Sequence, residues 1–197
     1  AFPISTSKFQ TLGIKSIQNT LISKSISGKK LARQVDNQRF GFTARIITAK
    51  RSDVYGELMA FIIKQRSGKE NFTIIPPEIE DARGNVSGTV LVNGVHAVGD
   101  TTIAVDGMTG TLKAGDYVKF ASHTKVYMVV ADNSDISSGA LTIEPPLKSA
   151  VSGSAITFDS VPITVRLTSD MQEFQSNVSD KDGELLFSYE IDVVEAF

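Results

Sequence analysis

The sequence predicts a mainly β protein with one α-helix, built as a discontinuous β-sandwich domain (residues 1–86 and 159–197) that carries an inserted small β-barrel (residues 87–158). Three observations lead there. Apolar and polar residues alternate with period two over residues 39–47 and 185–194, the spacing of half-buried strands. One segment, residues 52–66, carries the 3.6-residue period of an amphipathic helix. Between residues 84 and 158 the texture changes to short apolar runs separated by Gly, Asp, Asn and Ser, which suits a closed or nearly closed barrel of short strands.

In chain order, residues 9–26 mix apolar residues with Ser, Thr, Gln and Asn and predict one or two irregular strands broken near Asn19 and Gly28. In residues 39–47, Phe40, Phe42, Ala44 and Ile46 share one face. The helix reads as capped by Ser52, favoured by Asp53 at its positive end and by Lys64 and Arg66 at its negative end, and stopped by Gly68 in a left-handed conformation. Val54, Leu58, Phe61 and Ile62 form its buried face, broadened by Tyr55, Met59 and Ile63. A strand at residues 71–75 ends at Pro76-Pro77, whose rings remove two ladder donors.

The barrel strands are expected at residues 89–92, 101–105, 117–120, 126–131, 140–143 and 155–158. Long-strand texture returns at residues 161–167. Residues 169–184 read as a long exposed loop. In the closing alternator, Leu185, Phe187, Tyr189, Ile191 and Val193 face one way, and Leu186, Ser188, Glu190, Asp192 and Val194 the other. An insert entering at exposed loop sites contributes few contacts to its host's core.

Composition excludes several functions. With 41% hydrophobic and 21% charged residues and a net charge of -2, the chain is an ordinary globular one, and its basic residues read as dispersed, without the footprint of sequence-independent nucleic-acid binding. No apolar run approaches the ~20 residues of a membrane-spanning helix. Ala1-Phe2-Pro3 lacks a signal-peptide pattern and reads as a start from which an initiator Met was removed. Zero cysteines exclude disulfides, thiolate metal sites and cysteine nucleophiles.

Candidate chemistry is sparse. His96 and His123 read as exposed loop histidines, and a metal would need further ligands that only scattered carboxylates could supply. Two acid clusters, Glu78 with Glu80 and Asp81, and Asp132 with Asp135, could in principle form the carboxylate pair of a glycoside hydrolase, but both sit beside turns where solvated acids are the default. No G-x-S-x-G elbow occurs. Ser27-Gly28-Lys29-Lys30 lacks the first Gly of a phosphate loop and reads as a turn with solvated lysines. Asp132-Asn133-Ser134-Asp135 lacks the Gly and Glu of a calcium loop. The expectation is a chain without catalytic residues, cofactor or metal.

Particular stretches carry a resemblance. Gly88-Thr-Val-Leu-Val-Asn-Gly, Gly99-Asp-Thr-Thr-Ile-Ala-Val-Asp-Gly, Leu112-Lys-Ala-Gly-Asp-Tyr-Val-Lys-Phe, Val126-Tyr-Met-Val-Val-Ala-Asp and Leu141-Thr-Ile-Glu-Pro-Pro-Leu are similar to the inserted domain of minor tail proteins of long-tailed bacteriophages. Arg39-Phe40, Phe42-Thr43, residues 61–66, Phe72-Thr73 and the closing Tyr189-Glu-Ile-Asp-Val-Val-Glu-Ala-Phe resemble the same distal tail proteins. The resemblance implies a non-enzymatic virion protein of the tail tip, assembled in the host cytoplasm. It further implies a β-sandwich belt domain forming a homo-oligomeric, hexameric ring and an oligonucleotide/oligosaccharide-type barrel projecting outward. The implied partners are the tail tube protein, the tail-tip hub protein and the tape measure protein, with no membrane and no specific nucleic acid.

Two functional alternatives stay open. The barrel could instead be a carbohydrate-binding module, a reading weakened by the absence of Trp and by its aromatics Tyr117, Phe120 and Tyr127, which read as core or edge residues. Separately, Glu190, Asp192 and Glu195, with Lys181 as the one nearby cation, could line a DNA-conducting lumen, where acids keep phosphates from sticking. The same acids could equally be a solvated strand edge that discourages improper pairing.

Overall fold

The computed structural model describes every residue except 36–37, 78, 134–137 and 180–182. Strand β1 (Phe9–Ile17) leads to a hairpin, β2 (Thr20–Lys24) and β3 (Lys30–Gln34), and then to the long β4 (Arg39–Lys50). A π-helical turn at Arg51–Tyr55 runs into helix α1 (Gly56–Lys64), followed by β5 (Phe72–Ile74). Eight short strands come next: β6 (Leu91–Val92), β7 (Val95–His96), β8 (Thr102–Asp106), β9 (Tyr117–Phe120), β10 (Val126–Val129), β11 (Ser138–Glu144), β12 (Val151–Ser152) and β13 (Ile156–Thr157). The chain closes with β14 (Ile163–Leu167), β15 (Gln175–Ser179) and β16 (Leu185–Glu195).

The outer strands form one antiparallel sheet in the order β1-β4-β16-β14-β5, with β15 also pairing β16. The period-two pattern explains its core face. Phe40, Phe42, Ala44 and Ile46 of β4 are buried with Tyr189, Ile191 and Val193 of β16 and with Ile163, Val165 and Leu167 of β14. Val54, Tyr55, Leu58 and Ile62 from the helical segment belong to the same cluster, so the helix covers this face.

All strands of the second large sheet lie between residues 91 and 157, in the order β13-β9-β10-β11-β8-β6. Its two edges meet. Val92 N–H donates to the Ser154 carbonyl at 2.9 Å, and Ile156 N–H to the Val90 carbonyl at 2.9 Å. The sheet is thus a nearly closed barrel with its own buried cluster, including Ile103, Leu112, Val118, Phe120, Tyr127, Leu141 and Ile143. Mainly β with one helix and a small barrel is therefore what the chain adopts.

Several expectations change. Ser52 caps nothing: the helical segment begins after the extended Lys50, and no side chain caps it. The left-handed stop lies at Arg66 (φ 51°) and Ser67 (φ 60°), whereas Gly68 is required by proximity, since a Cβ there would stand 2.7 Å from the Leu167 carbonyl. Ile63 points outward. Residues 169–184 are not all loop, because β15 adds to β16 through pairs such as Gln175↔Ser188.

Candidate assembly site

The largest departure from the sequence reading is at Glu195. It has the parity of Tyr189, Ile191 and Val193 on β16, so it turns toward the core and is 0% exposed. A buried carboxylate needs a partner. Lys125, 1% exposed and just ahead of β10, meets it with Nζ 2.6 Å from Oε2. The Val126 N–H donates to Oε1 at 2.8 Å, the Phe40 N–H to Oε2 at 3.2 Å, and Lys125 Nζ also donates to the Val126 carbonyl at 2.8 Å. The ammonium lies 4.9 Å from the centre of the Phe40 ring and 5.1 Å from that of Phe197. Burial draws the Lys125 pKa down against the opposing pull of Glu195.

This network is a junction between the outer sheet and the barrel strands. Tyr117 and Val126 are buried in the same cluster as Phe40 and Phe42, and the Tyr117 ring meets Phe40 edge-on at 5.2 Å. Lys119 donates to the Pro162 carbonyl at 3.0 Å beside it. The barrel segment thus contributes more to the outer sheet's core than an insert is expected to. With no exposed surface, Glu195 cannot line a channel.

Glu190 and Asp192 have the opposite parity and lie on the far face of β16. Glu190 is exposed across from Arg45, and both border a surface cleft of ≈ 380 Å³. Asp192 accepts from Lys15 at 2.8 Å, Thr43 at 2.7 Å and Thr168 at 2.8 Å. Partial burial opposes its ionisation, but those three hydrogen bonds outweigh it and hold the carboxyl below the usual range. The face is therefore mixed in charge, with Lys15 and Arg45 among its acids; Lys181 lies outside the described residues.

Basic residues are not dispersed, contrary to the sequence reading. Ten of the 20 Lys and Arg residues fall within residues 1–52, where Asp36 is the one acid. Four of them, Lys24, Lys29, Lys30 and Arg33, are exposed on the β2–β3 hairpin, whose strands are exposed along their whole length. The same hairpin exposes Leu21 (64%), Ile22 (55%) and Leu31 (59%), and Ile26 stands fully in solvent at its turn. Ser27-Gly28 forms that turn, with Gly28 at φ 81°.

The remaining sequence candidates serve the fold. His96 lies on β7, paired with Val151, and its Nε2 accepts the Ala104 N–H at 3.1 Å, so it is not an exposed loop residue. His123 is half-buried in its loop, 2.8 Å from the Tyr127 hydroxyl, and burial with nearby Lys119, Lys125 and Lys148 draws its pKa down. Burial pushes the Tyr127 phenol up to about 12. Asp132 accepts the Ala114 N–H at 2.9 Å. Glu78, Ser134 and Asp135 lie outside the described residues, and Glu80 and Asp81 lie within the irregular segment between β5 and β6. Among the described residues no group of three or more His, Cys, Asp or Glu could hold a metal ion, and no helix is long and apolar enough to cross a membrane. Tyr117, Phe120 and Tyr127 are all buried and offer no platform for a sugar.

Residues 79–161, the barrel and its flanks, match the family model described as distal tail protein pb9, B domain. No curated protein matches the chain.

Proposed function

From the premise that this chain carries the B domain of a phage distal tail protein, we propose that it is a structural, non-enzymatic ring-forming adaptor of the tail tip, joining the tail tube to the tail-tip hub. The match to residues 79–161 carries this reading. Two further features support it. The chain divides into an outer sheet and a barrel, which we take as a belt domain (1–86 with 159–197) and a peripheral domain (87–158) held together by the Lys125–Glu195 junction. The outer sheet also carries an apolar, basic hairpin left in solvent, as an assembling subunit requires. Oligomerisation into a six-fold ring, contact with a tape measure protein and residence in the virion tail are parts of the same proposal. Electron microscopy of the purified protein is expected to show closed rings of one defined symmetry; a uniform population of monomers would refute the adaptor reading.

On this reading the face of β4 and β16 away from the core, with Glu190 and Asp192, borders the channel through which DNA leaves. The exposed Glu190 is the informative position, since Asp192 is held by Lys15, Thr43 and Thr168. Glu190→Lys in assembled particles is expected to slow DNA ejection, because an added cation beside Arg45 binds phosphate. Ejection at the unaltered rate, from particles that assemble normally, refutes the channel assignment and leaves the ring reading standing.

A further inference from the structure

We propose that the cleft walled by Arg66, Lys69 and Arg166, between the end of α1 and the chain that leaves β14, binds an acidic peptide segment of a partner protein through its carboxylates. The inference is independent of the ring reading, because every wall of the cleft belongs to one copy.

Two separate elements bring the cations together. Arg166 stands on β14 between the buried Val165 and Leu167, so its side chain takes the opposite face of the sheet, across from Val194. Arg66 and Lys69 come from the turn that ends α1, and Gly68 between them packs against β14, where a Cβ would stand 2.7 Å from the Leu167 carbonyl. All three cations are exposed, and none makes an ion pair with a described residue. The cleft, of ≈ 410 Å³, has Asp170 as the one acid on its wall. An adjoining cleft adds Lys64 and Glu70, so the positive surplus persists. Cations beyond a helix C-terminus complement its dipole, but that does not account for Arg166, which comes from the sheet. Nor does it account for Arg66 at φ 51°, a left-handed conformation that glycine adopts without strain. An arginine there sets a guanidinium at the cleft in spite of its backbone.

The chemistry of the walls selects the ligand. Guanidinium groups pair with carboxylates in a two-point fork, and two of them beside an ammonium suit a segment that carries more than one acid. Val194, half-buried opposite Arg166, gives the ligand an apolar contact. A nucleic acid is the poorer occupant. Ser169 and Met171 wall the neighbouring cleft, where Glu173, Glu190 and Asp192 stand with Arg45. A phosphate backbone running past the basic cleft therefore meets negative charge, whereas a peptide carries its acids only where the cations are.

The test compares the full chain with Lys69→Ala/Arg166→Ala and with Arg66→Gly by isothermal titration calorimetry at low salt. The probe is an octapeptide of alternating Leu and Glu, with its Leu-Gln counterpart and a single-stranded oligothymidylate as controls. The unaltered chain is expected to bind the Leu-Glu peptide at least about tenfold more tightly than the Leu-Gln peptide, and the double variant to lose that preference. Arg66→Gly is expected to bind several-fold more weakly while its denaturation midpoint holds or rises, a combination that a purely structural Arg66 does not give. Equal binding by all three proteins, or no preference for Glu over Gln in the unaltered chain, overturns the proposal. Oligothymidylate bound more tightly than the Leu-Glu peptide makes the cleft a phosphate site and overturns it as well. If the unaltered chain binds no peptide and the double variant self-associates more weakly, the cleft is a contact between copies; the proposal is then wrong and the ring reading stands.

Discussion

Replacing Glu195 by Leu is expected to destabilise the protein by about 3–5 kcal/mol, the usual effect of breaking a buried ion pair from one side. Lys125 would keep one carbonyl acceptor, that of Val126, and three ring faces, those of Phe40, Tyr127 and Phe197, while the N–H groups of Phe40 and Val126 would lose theirs. The charge, not the pair's net strength, sets the size of the loss. Taking two ions out of water is expensive, so an apolar replacement of both is often nearly neutral. The double variant Lys125→Met/Glu195→Leu is therefore expected to recover most of the stability, short by about 1–3 kcal/mol for the backbone donors still without an acceptor. Equilibrium denaturation of the three proteins measures this. A loss below about 1 kcal/mol for Glu195→Leu would mean that water reaches the pair and that the junction is looser than its 2.6 Å contact indicates.

The junction also shows where sequence reasoning stopped. Alternation along β16 was plain, and carrying its parity two residues past Val193 places Glu195 among the core residues. An acid on an apolar face is a signal in itself, because it demands a cation. Which cation cannot be read from the sequence, since Lys125 is 70 residues away in a loop and nothing local marks it. Grouping Glu195 with Glu190 and Asp192 by charge instead of parity led to the lumen assignment. The hairpin failed differently. A tally over the whole chain gives a balanced net charge of -2 and hides the separation between residues 1–52 and the remainder.

What was legible had strong local periodicity. β4, β16 and the helical segment were found because their buried faces repeat every two or 3.6 residues, and the barrel because turn residues punctuate short runs. What was not legible was decided by contacts distant in sequence. β15 carries Gln, Ser and Asn, which read as loop, and becomes a strand because β16 offers an edge. His96 is drawn into β7 by Val151, 55 residues on. The helix lacks its expected Ser52 cap because β4 runs on to Lys50 and the chain turns directly into a π-helical turn.

Leu58→Ala is expected to destabilise the protein by about 2–5 kcal/mol, through lost burial and the cavity left behind. Leu58 is fully buried in α1, in one cluster with Val54, Tyr55 and Ile62 from its own segment and with Phe42, Ile191 and Val193 from the sheet. Relaxation into the cavity is restricted on the helix side. The Tyr55 hydroxyl donates to the Ile47 carbonyl at 2.9 Å, and its ring lies 6.0 Å from that of Phe187, which ties the start of the helical segment to β4 and β16. That restraint favours the upper half of the range. Ile63→Ala on the same helix is the control: with 74% of its surface already exposed, it is expected to change stability by no more than about 0.5 kcal/mol. Both are read by chemical denaturation, with the denaturant slope unchanged so that the shift reports stability alone. Equal effects at the two positions would show that the helix does not bury the face assigned to it, and a larger effect at Ile63 would place that face against a partner in the assembled tail.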